Sequence, residues 1–232
     1  MDLPKFLLML EQESLYFAVF SEFEDKWEAV IPRELTMGIA NQFRAASGAV
    51  IQHYDRLIEN LAVDCWYSGN DESVAMWRLY TNSEYGVEIR SSVGHLRRSL
   101  SVSPENVYLG KVEYRDYNEV PSQGLSAHQL TPFKAALQKR PCYEHEHEIR
   151  AIIEVIPDFL DDVNSRNISV RAKRGKNIRT HLRTLIHSLT TGPNFPAWAW
   201  ELLRSALSRV HLDFPINESN VFKAPPARFI EE

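Results

Sequence analysis

The apolar residues of this chain change period again and again, and that most limits what it can fold into. "LPKFLLMLEQE" places Leu3, Phe6, Leu7 and Leu10 on one side at helical spacing, and "SLYFAVF" follows as a short aromatic strand. After Pro32 the spacing of Leu35, Ile39, Phe43, Ala46 and Val50 predicts one helix to about residue 60. "AVDCWYS" reads as strand, and "NDESVAMWRLY" as a helix capped by Asn70 or Asp71. "YGVEIRSS" alternates as a strand before a short helix through Leu100, and "NVYLGKVEYRDY" alternates again. "SAHQLTPFKAALQKR" predicts a helix leading into a strand over Tyr143–Val155, residues 157 to 180 a surface loop, and "FPAWAWELLRSALSRVHL" a helix. "NIRTHLRTLIHSLTTG" fits strand or helix, and the tail is extended. Neither type runs on alone, so the fold class is α+β, with a mixed or mostly antiparallel sheet flanked by helices. No stretch has the composition of a linker, so residues 1–232 read as a single domain.

Bulk composition narrows the function classes. With 232 residues and 44% hydrophobic content the chain can bury a sizeable core. A net charge of −5 gives no bulk attraction to nucleic acid or to an anionic membrane. Apolar runs such as "AIIEVIP" are far shorter than the roughly 20 residues of a membrane span. Two cysteines, Cys65 and Cys142, and no signal peptide fit a reduced, cytoplasmic protein without a disulfide framework. The charge is uneven: residues 171 to 183 carry six Lys or Arg and no acid. That run reads as a solvated surface or as a site for a phosphate-bearing ligand or nucleic acid.

Three constellations carry candidate chemistry. On the helix after Asp71, Trp77 and Tyr80 share a side, as core or as walls for a planar ring, and Arg78 offers a fork to phosphate or carboxylate. In "FEDKWE", Asp25 and Glu28 suit a helix N-terminus or a ligand. In "YEHEHEIRAIIEV" strand alternation groups Glu144, Glu146, Glu148 and Arg150 on one face, and puts His145 and His147 with the apolar set on the other. Carboxylates spaced about 7 Å along one strand face repel unless exposed or relieved by Arg150. In a cleft that repulsion makes one of them a base or charge stabiliser. His-x-His lacks a third ligand and the His-Glu-x-x-His helix motif is absent, so no metal is expected. There is no Gly-rich phosphate loop, no Gly-x-Ser-x-Gly elbow and no Cys-x-x-Cys.

Taken over nearly the whole chain, "MDLPKFLLMLEQESLYFA", "FEDKWEAVIPRE", "VDCWYSGNDESVAMWRLYTNSEYGVEIRSS", "VYLGKVEYRDY", "YEHEHEIRAII" and "GPNFPAWAWELLRSAL" resemble the bacterial domain-of-unknown-function 2971 (DUF2971) family. The Trp77–Tyr80 helix and the cluster at Glu146, Glu148 and Arg150 are the most specific parts. Family members carry a strand ending in Arg-Tyr before the Met-Asp that begins this chain, so Met1 reads as a mis-assigned start or as the loss of that strand. "DKWE" departs from the family's Asp-Pro-Phe-Glu at Lys26 and Trp27. More distantly, the order of elements and the late Glu-x-Glu resemble the split-sheet ADP-ribosyltransferase fold. That likeness implies NAD as substrate, Glu148 or Glu146 as the acid that stabilises an oxocarbenium-like cation, and Tyr16 or Tyr80 as the stacking aromatic. The first-strand basic residue such enzymes use to hold the dinucleotide is missing. The competing expectations are a non-catalytic interaction module, with Arg150 ion-paired to Glu146 or Glu148, and a nucleic-acid-binding accessory domain using residues 171 to 183.

Overall fold

The computed structural model describes residues 1–31, 33–81, 85–118, 131–155 and 175–224, and of Glu34 and Leu35 the backbone alone. It is an α+β protein whose strands form a five-stranded, a three-stranded and a two-stranded sheet. The residues group into two compact units, one made of Met1–Ser14, Gly69–Ser103 and Arg179–Glu232, the other of Leu15–Ser68 and Pro104–Ile178. Neither is one continuous stretch, so no linker composition marks a boundary between them.

In the first unit, α1 (Leu3–Gln12) buries Leu3, Phe6 and Leu10 of the expected stripe together with Met9, while Leu7, expected on it, is only half-buried. Helix α4 (Val74–Tyr80) is capped by Ser73, whose hydroxyl accepts from the Met76 amide at 3.4 Å, and not by Asn70 or Asp71. Helix α5 (Val93–Leu100) is capped likewise by Ser92. The three-stranded sheet orders β10 (Ile216–Glu218), β9 (Ser188–Thr191) and β3 (Val87–Arg90), and β9 is buried along its whole length. Helix α8 (Ala197–Arg209) starts after Pro196 as expected and buries Ala199, Leu203 and Leu207. "NIRTHLRTLIHSLTTG", open to either reading, supplies a strand, one helical turn α7 (Leu182–Leu185) and a second strand.

In the second unit the sheet order is β4 (Tyr108–Lys111), β7 (Glu148–Glu154), β2 (Leu61–Tyr67), β1 (Ser14–Val19) and β8 (Lys176–Arg179). Strand β2 pairs antiparallel with β7 over seven residues, with Val63 opposite Ile152 and Cys65 opposite Arg150. That register puts Leu61, Val63 and Cys65 on the face of Glu148, Arg150 and Ile152. One end of this face is apolar: Val63, Leu61 and Ile152 pack with Ile39 of α2 (Arg33–Phe43), Ile58 of α3 (Ser47–Glu59), Ala135 at the end of α6 (Pro132–Ala135) and Ala136 just after it. The other end holds charge.

Several expectations change. The helix predicted from Pro32 to residue 60 is broken by a 3-10 turn at Arg44–Ala46, where Arg44 takes φ 44°. The helix predicted before Arg140 is one described turn, α6, and then β6 (Gln138–Lys139), which pairs parallel with β5 (Glu113–Tyr114); residues 126 to 130 of that prediction lie outside the described residues. Of the predicted loop over 157 to 180, the described end is β8. The strand predicted from Tyr143 starts only at Glu148: Pro141 opens a 3-10 helix over Pro141–Glu146, and His147 turns the chain at φ 41°. His145 and His147 are therefore exposed and do not join an apolar face.

Candidate functional site

The charged end of the second unit's sheet is a buried network of three carboxylates and two cations. Strand alternation presents Glu148 and Arg150 on one face of β7, as the sequence implies. Glu146 arrives by another route, from the end of the 3-10 helix. Glu28 comes from the turn after Asp25, where a helix N-terminus was one expectation; α2 begins only at Arg33. Lys139 comes from β6.

Arg150 is 0% exposed and anchors the network. Its Nη1 donates to the Ala136 carbonyl at 2.7 Å, and its Nη2 to Glu28 Oε2 and Glu148 Oε2, both at 2.8 Å. Its guanidinium carbon lies 5.7 Å and 5.9 Å from the Phe20 and Phe23 ring centres. Lys139 bridges all three acids: Nζ lies 3.0 Å from Glu28 Oε1, 2.6 Å from Glu146 Oε2 and 3.5 Å from Glu148 Oε2. The Tyr143 ring covers that ammonium with its centre at 4.8 Å. The Glu148 amide donates to the Tyr114 hydroxyl at 2.8 Å. At the rim, Asp25 holds Arg140 through two hydrogen bonds, Nη2 to Oδ1 at 2.8 Å and Nε to Oδ2 at 3.3 Å. Arg140 also lies over the Trp27 and Tyr143 rings.

The electrostatics follow from these contacts. Burial pushes the Glu148 carboxyl up, but Arg150, Lys139 and hydrogen bonds from Arg150 and Cys65 outweigh it and hold the group below its ordinary value. Burial also opposes the charges of Lys139 and Arg150, and their carboxylate neighbours overcome it, so both are cations at every physiological pH. Burial, reinforced by the Glu28 carboxylate, raises Tyr117, whose hydroxyl has no hydrogen-bond partner among the described residues. On the other face of β2, Asp64 is lifted by burial to about 7, although Trp66 Nε1 donates to its Oδ2 at 2.5 Å.

The remaining predicted residues sit elsewhere. Tyr16 is exposed on β1; its hydroxyl donates to Glu22 at 2.9 Å. Trp77, Arg78 and Tyr80 belong to the first unit. Trp77 is buried, with Nε1 donating to Glu72 at 3.0 Å, while Arg78 and Tyr80 are exposed. Trp77 and Tyr80 thus do not form one ring-stacking wall. Glu144 is exposed and stands outside the network. Both cysteines are free thiols. No group of three or more His, Cys, Asp or Glu among the described residues could hold a metal ion, and no described helix is long and apolar enough to cross a membrane.

Lys139, Tyr114 and the Asp25–Arg140 pair were missed from the sequence. The one available signal was "QKRP", two adjacent cations directly before a proline in an otherwise apolar stretch. Chemically, the arrangement is a closed set of buried ion pairs. A general base needs a carboxyl pKa raised toward neutrality and a lone pair that substrate can reach. Glu148 is 4% exposed and held ionised by two cations. Comparison with protein-family models, curated proteins and solved structures found no match.

Proposed function

We propose that this chain is a non-catalytic interaction module in which the Glu28–Lys139–Glu146–Glu148–Arg150 network braces the second unit. One observation carries the reading: each carboxylate of the network is buried and held by Lys139, Arg150 or both. In some proteins such networks serve conformational specificity more than raw stability, because the desolvation cost of the ions offsets much of their attraction. Here the brace ties β7 to a turn 122 residues earlier in the chain.

A second reading is an NAD-using transferase or glycohydrolase, and it fits the DUF2971 resemblance. It draws on the split into a five-stranded and a three-stranded sheet and on an ionised glutamate at the start of a strand, the charge state that an oxocarbenium stabiliser requires. The nucleic-acid reading has less behind it. Arg171, Lys173 and Arg174 lie outside the described residues, and Lys176 is paired with Glu105 at 2.8 Å.

Nicotinamide release from NAD, measured for the full chain and for Glu148→Gln with folding followed by circular dichroism, separates the first two. The module reading predicts no release above a protein-free control from either protein. Release by the natural chain that a folded Glu148→Gln protein lacks overturns it in favour of the enzyme.

A further inference from the structure

The first unit contains a cavity of about 180 Å³ between the end of α1, α7 and the segment after α8. Its apolar side is formed by Leu10, Leu182, Val210 and Leu212, and its polar side by Arg179, His181 and Arg183. These last three are the described end of the basic run in the sequence, which the charge network leaves unused. Arg179 is exposed, and among the described residues its guanidinium has no hydrogen bond or ion pair. Arg183 is steered by one bond, Nη2 to the His211 carbonyl at 2.6 Å, and the rest of its fork is open. His181 has Nδ1 at 2.6 Å from Thr184 Oγ1, which leaves Nε2 as its other polar atom. Glu13 also lines the cavity, so two guanidinium groups face one carboxylate and the local balance is positive. The wall is fixed by backbone: the Thr180 amide donates to the Glu13 carbonyl at 2.8 Å.

We propose that this cavity binds a small organic anion, an oxyanion head on a short apolar chain. The two arginines match a carboxylate or a phosphate, since a guanidinium fork pairs two oxygens at once. The leucine and valine side chains give an apolar tail somewhere to shed water. The volume sets the size: about 180 Å³ is below the usual range of roughly 300–1,000 Å³ for drug-sized ligands and suits a head group with a few carbons better than a dinucleotide. The site belongs to the first unit and stands or falls independently of the charge network in the second.

The test is an NMR titration of the full chain with hexanoate, butyl phosphate, hexanol and inorganic phosphate, following the Thr180, His181 and Val210 amides. Hexanoate or butyl phosphate should shift these amides and bind at least roughly tenfold more tightly than hexanol or inorganic phosphate, the factor expected for one charge-assisted contact. Which of the two binds better assigns the head group. Arg179→Met keeps the aliphatic stem of an exposed side chain and should weaken the anion by roughly tenfold while leaving hexanol unchanged. Val102→Glu, at an exposed lining position, should weaken the anion further. Equal affinity for hexanoate and hexanol, an unaltered titration in Arg179→Met, or no shift of these amides overturns the proposal.

Discussion

Replacing Arg150 with methionine probes the network where it is most buried. Methionine keeps an unbranched stem and replaces the guanidinium that lies over the Phe20 and Phe23 rings. Little packing is therefore lost, and the change falls on polar contacts. The Ala136 carbonyl loses its donor, and Glu28 and Glu148 each lose a 2.8 Å charge-assisted bond. Three buried carboxylates are then left with Lys139 alone. Stranding a buried charge costs about 3–5 kcal/mol. Against a typical domain stability of about 5–15 kcal/mol, that is roughly a fifth or more of the total. Urea unfolding at pH 7, followed by far-ultraviolet circular dichroism, reads the loss. The pH dependence adds a second signature. In the natural chain the folded pKa of Glu148 lies below its unfolded value, so that part of the stability is present above about 4.5 and is lost as pH falls through the lower folded value. In Arg150→Met the stranded carboxyls are pushed up instead, so the folded state takes up protons first. The variant should recover stability on acidification from neutral pH. Adding Glu148→Gln to Arg150→Met should restore at least about 1 kcal/mol by removing one stranded charge. A loss under about 1 kcal/mol for Arg150→Met, with no recovery in acid, would refute the brace.

Other substitutions test other parts of the fold. Asp64 titrates at about 7 in the folded protein, so the folded state binds an extra proton between roughly pH 4 and 7 and stability falls as pH rises across that window. Asp64→Asn keeps an oxygen for Trp66, so it should remove that slope and be the more stable protein at pH 8 by about 1 kcal/mol or more, measured by urea unfolding at several pH values. A Cβ on Gly175 would run into the Phe17 carbonyl and the Tyr16 ring, so Gly175→Ala should cost about 1–3 kcal/mol and lower the melting temperature. Ser73→Ala removes the cap of α4 and should cost about 1 kcal/mol, whereas Asn70→Ala should leave stability unchanged in the same thermal scan.

Local pattern was legible and long-range partnership was not. The stripe on α1, the helix after Pro196 and the alternation of Glu148, Arg150 and Ile152 depend on side chains a few positions apart, where periodicity speaks directly. Alternation was carried too far back, to Tyr143, because Pro141 and the turn at His147 give the segment a 3-10 shape. Glu146 still belongs with Glu148, though as a ligand of Lys139 and not as a strand neighbour. Glu28 stood out in "FEDKWE" and Lys139 only through "QKRP", but nothing local says that the two meet: their pairing depends on how β6 and the turn after Asp25 come together over the sheet. Trp77 and Tyr80 show the reverse failure, since helical spacing put them on one side while burial separates them.

Whether Glu148 is an ionised partner of Lys139 and Arg150 is read directly by carbon-13 NMR titration of the glutamate side-chain carboxyls. The Glu148 signal, assigned through Glu148→Gln, should change only below its ordinary value of 4.5, and in Arg150→Met the midpoint should move up. A Glu148 midpoint between about 6 and 7 in the natural chain, where a general acid or base operates, would contradict that pairing.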